Sequence, residues 1–144
     1  MSFRKILIAV DSEPIAARAA DTGVELAKAL SGEVALIHVI DTSLVLGGDT
    51  GIAPNELIAR AEQEGQRLVA GFRQRLSLPP AALEFVLSGS PADEIVKAAK
   101  EWAADLIVIG SHGRGGIQRA LLGSVAERVM RNAVCPVLIV RARE

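Results

Sequence analysis

The sequence predicts an α/β protein: a five-stranded parallel sheet in the order 3-2-1-4-5, with helices on both faces. Three observations carry that expectation. Short, largely apolar runs rich in Val, Ile and Leu recur at 6–10, 34–40, 83–87, 105–109 and 136–140, the first continuous and the third weaker, as for strands of a buried parallel sheet. Segments with helical periodicity separate them, giving βαβαβαβαβ. At 144 residues, half hydrophobic but only 3% aromatic, the chain reads as a single domain (1–144) with an aliphatic core. Short right-handed crossovers then favour a chain that works outward from strand 1 and returns to set strand 4 on its other side.

The first strand stops at Asp11. From Pro14 a helix follows, its wet face marked by Arg18, Asp21, Glu25 and Lys28 and its dry face by Ala20, Val24, Ala27 and Leu30. Ser31-Gly32 supplies a glycine stop. His38, inside the second strand, reads as a packed residue with one satisfied hydrogen bond. Residues 41–54 form a long loop containing Gly47, Gly48, Gly51 and the apolar tip Leu44-Val45-Leu46. Leu57, Ala61, Gly65, Leu68, Phe72 and Leu76 set the stripe of a second helix over 55–76, and Pro79-Pro80 breaks it. Strand 83–87 carries Glu84 at its exposed beginning. Ser90-Pro91-Ala92-Asp93 is an N-cap, a proline at the first helical position and an acid in the first turn. That helix ends near Ala103, with Trp102 packing at the edge of the core.

The fourth strand runs into Gly110-Ser111-His112-Gly113-Arg114-Gly115-Gly116. A last helix starts at Ser124, where Ser124 and Glu127 make a capping box. Strand, glycine loop and helix start are the parts of an anion cradle. It is not a Walker A loop, which ends in Gly-Lys-Ser/Thr, nor the dinucleotide fingerprint, which follows a first strand. The spacing here is Gly110-x2-Gly113-x9-Gly123-Ser124. Phosphate at this point takes bonds from the amides of Ser124 and Val125 and from the Ser124 hydroxyl. Topology supplies the opposite wall, because the switch point between strands 1 and 4 lies at Asp11 and Gly110. Asp11 suits a ribose hydroxyl or a divalent ion on the phosphates, or starts the following helix. His112 either polarises phosphate or fixes the loop, and Arg114 and Arg119 are the local cations.

Net charge is −1 with no block of like charge, which excludes nucleic acid and membrane surfaces as bulk electrostatic partners. A lone Cys135, read as a packed hydrophobe, excludes a disulfide framework. With no leader or spanning stretch apparent, the expected location is cytoplasmic. The fifth strand would be an exposed apolar edge, and Val137, Leu138, Ile139 and Val140 are expected to pair antiparallel with a second copy.

The glycine spacing, with the strands 6–11, 36–39 and 105–110, the stretch 122–127 and the closing 135–140, resembles the ATP-binding branch of the universal stress protein family over essentially the whole chain. That resemblance implies a Rossmann-like fold of the adenine nucleotide alpha hydrolase type, a homodimer, and ATP, ADP or AMP as ligand, with Mg or Mn on the phosphates. It implies Ala9, Asp11 and Val39 on the adenosine side. Gly110, His112, Gly113 and Arg114 would lie under ribose and phosphates, and Gly123, Ser124 and Val125 at the phosphate tail. One departure is plain: many relatives carry serine two residues after the aspartate, and Glu13 stands there. A stress-response regulatory protein acting through nucleotide-dependent conformation is the first functional expectation. A slow ATPase or phosphotransfer enzyme using Asp11, a divalent ion and His112 is the alternative, and a dimeric interaction protein without nucleotide the lesser one.

Overall fold

Five parallel strands form one sheet in the expected order, β3-β2-β1-β4-β5, in a computed structural model that describes residues 2–112 and 122–142. The elements are β1 (Lys5–Ala9), α1 (Pro14–Leu30), β2 (Glu33–Asp41), α2 (Thr42–Val45), α3 (Pro54–Arg75), β3 (Leu83–Gly89), α4 (Pro91–Trp102), β4 (Leu106–Gly110), α5 (Ser124–Asn132) and β5 (Val137–Val140). β1 pairs with β2 from Lys5↔Glu33 to Ala9↔Ile37 and with β4 from Ile6↔Leu106 to Ile8↔Val108.

Alternation along the strands splits the core into two layers. Ile6, Ile8, Leu36 and Val108 pack with Ala16, Ala20 and Val24 of α1 and Val69 of α3. Leu7, Ala35, Ile37 and Ile107 pack with Ile95 and Ala99 of α4 and Ala126 and Val129 of α5. Small residues let the helices close on the sheet: a Cβ on Gly23 would lie 2.5 Å from Ile8 Cδ1. Trp102 and Cys135 pack at the edge of the second layer, as expected. No helix among the described residues is long and apolar enough to cross a membrane.

Several local expectations need correction. Leu30 is not on the dry face: at the last residue of α1 it is 45% exposed. The residue in the left-handed conformation after α1 is Ser31 (φ 54°), not Gly32. Gly32 is required instead by close approach, since a Cβ there would sit 2.7 Å from the Arg4 carbonyl oxygen. The loop 41–54 contains the helical turn α2, held by Asp41 Oδ1, which accepts from Ser43 N at 3.0 Å and Ser43 Oγ at 2.6 Å. Ser90 does cap α4, but with no side-chain hydrogen bond. β3 extends two residues beyond 87 to Gly89 and is the other edge of the sheet. Arg73 of α3 guards its entry, donating to Glu84 and to the Pro79 and Ala82 carbonyls.

The start of β1 is fixed by Asp105, whose Oδ2 accepts from Arg4 N and Lys5 N, each at 2.9 Å. The bond from the Lys5 amide, then that from Arg4, holds its carboxyl below the usual carboxylate range. Both bonds favour the charged form, so this stabilisation is full above the carboxylate range and disappears as pH falls through the depressed folded value. Asp105→Asn is expected to cost about 1 kcal/mol at neutral pH, a modest figure because solvent screens the group. Urea denaturation should show the gap between variant and wild type closing in acid.

Candidate functional site

At the carboxyl ends of the strands β1 stops early. Its ladder with β2 ends at Ala9↔Ile37, with Val10 N donating to Ile37 O at 2.9 Å, while β2 runs on to Asp41. Peptide groups alternate sides along a strand, so those of Val39 turn the same way as those of Ile37, beyond the end of the ladder. A cleft of about 610 Å³ opens there, between the ends of β1, β2 and β4 and the starts of α1 and α5. That volume is in the usual range for small-molecule sites, roughly 300–1,000 Å³.

Ala9, Asp11, Val39, Gly110, His112 and Val125, six of the residues expected from sequence, line this one cleft. Asp11 is half-buried, and its Oδ1 accepts from Glu13 N at 2.9 Å. The carboxylate thus shapes the turn into α1, but the helix is capped at Glu13, not Asp11. Gly110 has no room for a side chain: a Cβ would meet Ile15 Cγ1 at 2.9 Å, so glycine lets α1 close over the end of β4. His38 also borders the cleft while packed in the sheet, its Nδ1–H donating to Val10 O at 2.9 Å. A carbonyl can only accept, so this bond leaves Nε2 of the neutral ring as the acceptor.

Gly123 and Ser124 are beside the cleft and do not line it. The capping box is not formed: Gly123 is the N-cap (φ −65°, ψ 155°), and Ser124 is the first helical residue. Glu127 N donates to the Gly123 carbonyl at 2.9 Å, and its carboxylate pairs with Arg131 at 2.8 Å. The amides of Ser124, Val125 and Ala126 precede that first helical bond, and Val125 and Ala126 border the cleft. Helix start and β4 end are tied by Gly123 N donating to Ser111 O at 2.7 Å, and Ser111 N donating to Val140 O at 2.8 Å. Gly113, Arg114 and Arg119 lie outside the described residues.

Sequence reasoning missed the far lobe of the cleft, built from Leu44 and Val45 of α2 and Ala61, Glu64, Gly65 and Leu68 of α3. Its signal was present in the apolar tip 44–46 and in Gly65 on a helical stripe. A Cβ on Gly65 would lie 2.9 Å from His38 Cδ2, so the glycine brings α3 down onto β2. Cys135 stands apart from the cleft. Burial, and then the charge of Asp105, pushes its thiol up, which favours the thiol over the nucleophilic thiolate.

The same close contact revises what Gly123 does. A Cβ there would sit 2.8 Å from His112 Cα and 3.1 Å from the Ser111 carbonyl oxygen, a backbone clash that no rotamer relieves. Gly123→Val should therefore displace α5 and destabilise the protein by about 1–3 kcal/mol. A lowered denaturation midpoint checks this; an unchanged midpoint would mean that the pinch is not needed.

The universal stress protein family model matches residues 2–141. Universal stress protein MJ0531 of Methanocaldococcus jannaschii is 36% identical over 140 residues, covering 96% of this chain and 82% of its own length. Among solved structures, MJ0577 of the same organism superposes with a TM-score of 0.87 at 28% identity, over 100% of this chain and 99% of its own. A universal stress protein of Archaeoglobus fulgidus, solved in complex with dAMP, superposes with a TM-score of 0.61 at 26% identity, covering 98% of this chain and 100% of its own.

Proposed function

The chain belongs to the universal stress protein family, and from that membership we propose that it is a cytoplasmic regulatory protein that binds an adenine nucleotide, ATP or its mono- or diphosphate, in the cleft. The observation that carries this reading is the junction of two unlike surfaces in one cavity. One end is apolar, under α2 and α3; the other borders the first amides of α5. An apolar lobe takes a planar base, and orphan helix amides take an anion. The dAMP held by the Archaeoglobus fulgidus relative has both parts.

In this reading the Val39 peptide groups meet the edge of the base, Ala9 and Asp11 meet the adenosine, and Gly110 and His112 lie beside the ribose. The phosphates reach Ser124 and Val125. A divalent ion would arrive on the phosphates and touch the protein at Asp11. No group of three or more His, Cys, Asp or Glu among the described residues is arranged to hold a metal alone, so phosphate oxygens supply most of its ligands.

The test uses the amide donors. Ser124 follows Gly123 in an extended conformation (ψ 155°), the backbone that precedes a proline comfortably, and proline is favoured at the first helical position. Ser124→Pro deletes one amide and one hydroxyl without straining α5. Nucleotide affinity by calorimetry should fall about tenfold or more, with unchanged stability. Ser124→Ala, which keeps the amide, should lose less. Equal affinity in all three proteins would remove the phosphate end from α5.

We further propose that two copies pair through β5. Val137, Leu138 and Ile139 are only half-buried at the sheet edge, and Val140 closes the strand. An antiparallel join about a two-fold axis would satisfy both edges. Ile139→Lys should shift the protein toward monomer in sedimentation at low micromolar concentration.

A further inference from the structure

Among the helix starts that border the cleft, those of α5 and α1 differ in their donors. At α5 the amides of Ser124, Val125 and Ala126 precede the first helical bond. At α1 Pro14 has no amide, Glu13 N donates to Asp11 Oδ1, and Ala16 N donates to the Glu13 carbonyl at 3.0 Å. The N-cap itself is Glu13, a half-buried residue that borders the cleft and whose side chain makes no capping bond. Its carboxylate is two methylenes from that backbone, so an acidic side chain, and no capping hydroxyl, stands at the start of α1. Asp41 and Glu64 also border the cleft. The Asp41 carboxylate is engaged in capping α2, whereas that of Glu13 caps nothing.

We propose that Glu13 is a specificity-determining residue that weights the cleft toward nucleotides of low negative charge, favouring a nucleoside monophosphate over a free triphosphate. This inference rests on the nucleotide-binding reading and adds the charge preference to it. A single phosphate at α5 brings the least negative charge into the cleft. Each further phosphate adds charge that must be placed within the field of the Glu13 carboxylate, or be neutralised by a bound divalent ion. Like charges brought together in a partly dry cleft oppose binding, and a divalent ion on the phosphates cancels most of that opposition.

The experiment measures the affinities of AMP and of ATP by calorimetry at low ionic strength, in EDTA and then with Mg²⁺. The proteins are the wild type, Glu13→Gln and Glu13→Ser. Serine is a favoured N-cap residue, so at least one variant keeps α1 well started. Glu25→Gln, on the exposed face of α1, makes the same change in net charge away from the cleft. In EDTA the ratio of ATP to AMP affinity should rise about tenfold in both Glu13 variants and stay unchanged in Glu25→Gln. With Mg²⁺ the gain should shrink. Because residues 113–121 are the same in every protein compared, their charges cancel from the ratio. An unchanged ratio in the Glu13 variants, or an equal rise in Glu25→Gln, overturns the role of Glu13 while leaving nucleotide binding intact. Failure of the wild type to bind either nucleotide overturns the nucleotide reading and this inference together.

Discussion

β1 is hydrogen-bonded along both edges, to β2 on one side and β4 on the other, and covered on both faces, with Ile6, Leu7 and Ile8 fully buried. β2 and β4 pair with it directly, and β3 and β5 pair with those two in turn. A strand so enclosed cannot slip by one residue without exchanging the faces of its side chains, so its register is strongly fixed. Its short length then creates the cleft. With β1 ending at Ala9 and β2 continuing to Asp41, the sheet divides at its middle, and both chain directions leave the gap open. Asp105 acts at the opposite end of the same strand, holding the amides of Arg4 and Lys5 so that the register is set from the first residue.

The fold was legible because burial on both faces leaves an unmistakable trace. A strand such as 6–10 has no polar alternation, and alanine-rich helices such as α1 carry small residues where they touch the sheet. The order 3-2-1-4-5 followed from handedness, and the switch point from the order. The sequence was less informative where two physical causes leave the same residue. Gly32 and Gly123 both looked like residues chosen for backbone freedom or ligand space, and both are required by a neighbouring peptide group. Ser124 with Glu127 matched a capping box, yet the helix starts one residue early because Gly123 supplies the first carbonyl and Glu127 pairs with Arg131.

The candidate site was half legible. The wall at Asp11 and Gly110 and the helix start at Val125 come from topology, which sequence can supply. The lobe under α2 and α3 comes from tertiary closure, through Gly65 against His38, and a stripe on a helical wheel does not say what it closes upon. Glu13 was visible from the start as an acid two residues after Asp11. Only its place at the cleft turns that observation into a statement about charge.

The bond between Gly123 and Ser111 has a wider consequence. It ties the residue that follows β4 directly to the residue that caps α5, so the two anchor points of the connection between them are neighbours. A segment anchored in that way can be lengthened or rewritten at little thermodynamic expense, since doubling a loop adds only about 0.6 kcal/mol of closure entropy. Variation there leaves the sheet, its register and the first turn of α5 where they were. The two anchor points can therefore keep their geometry while the sequence between them diverges.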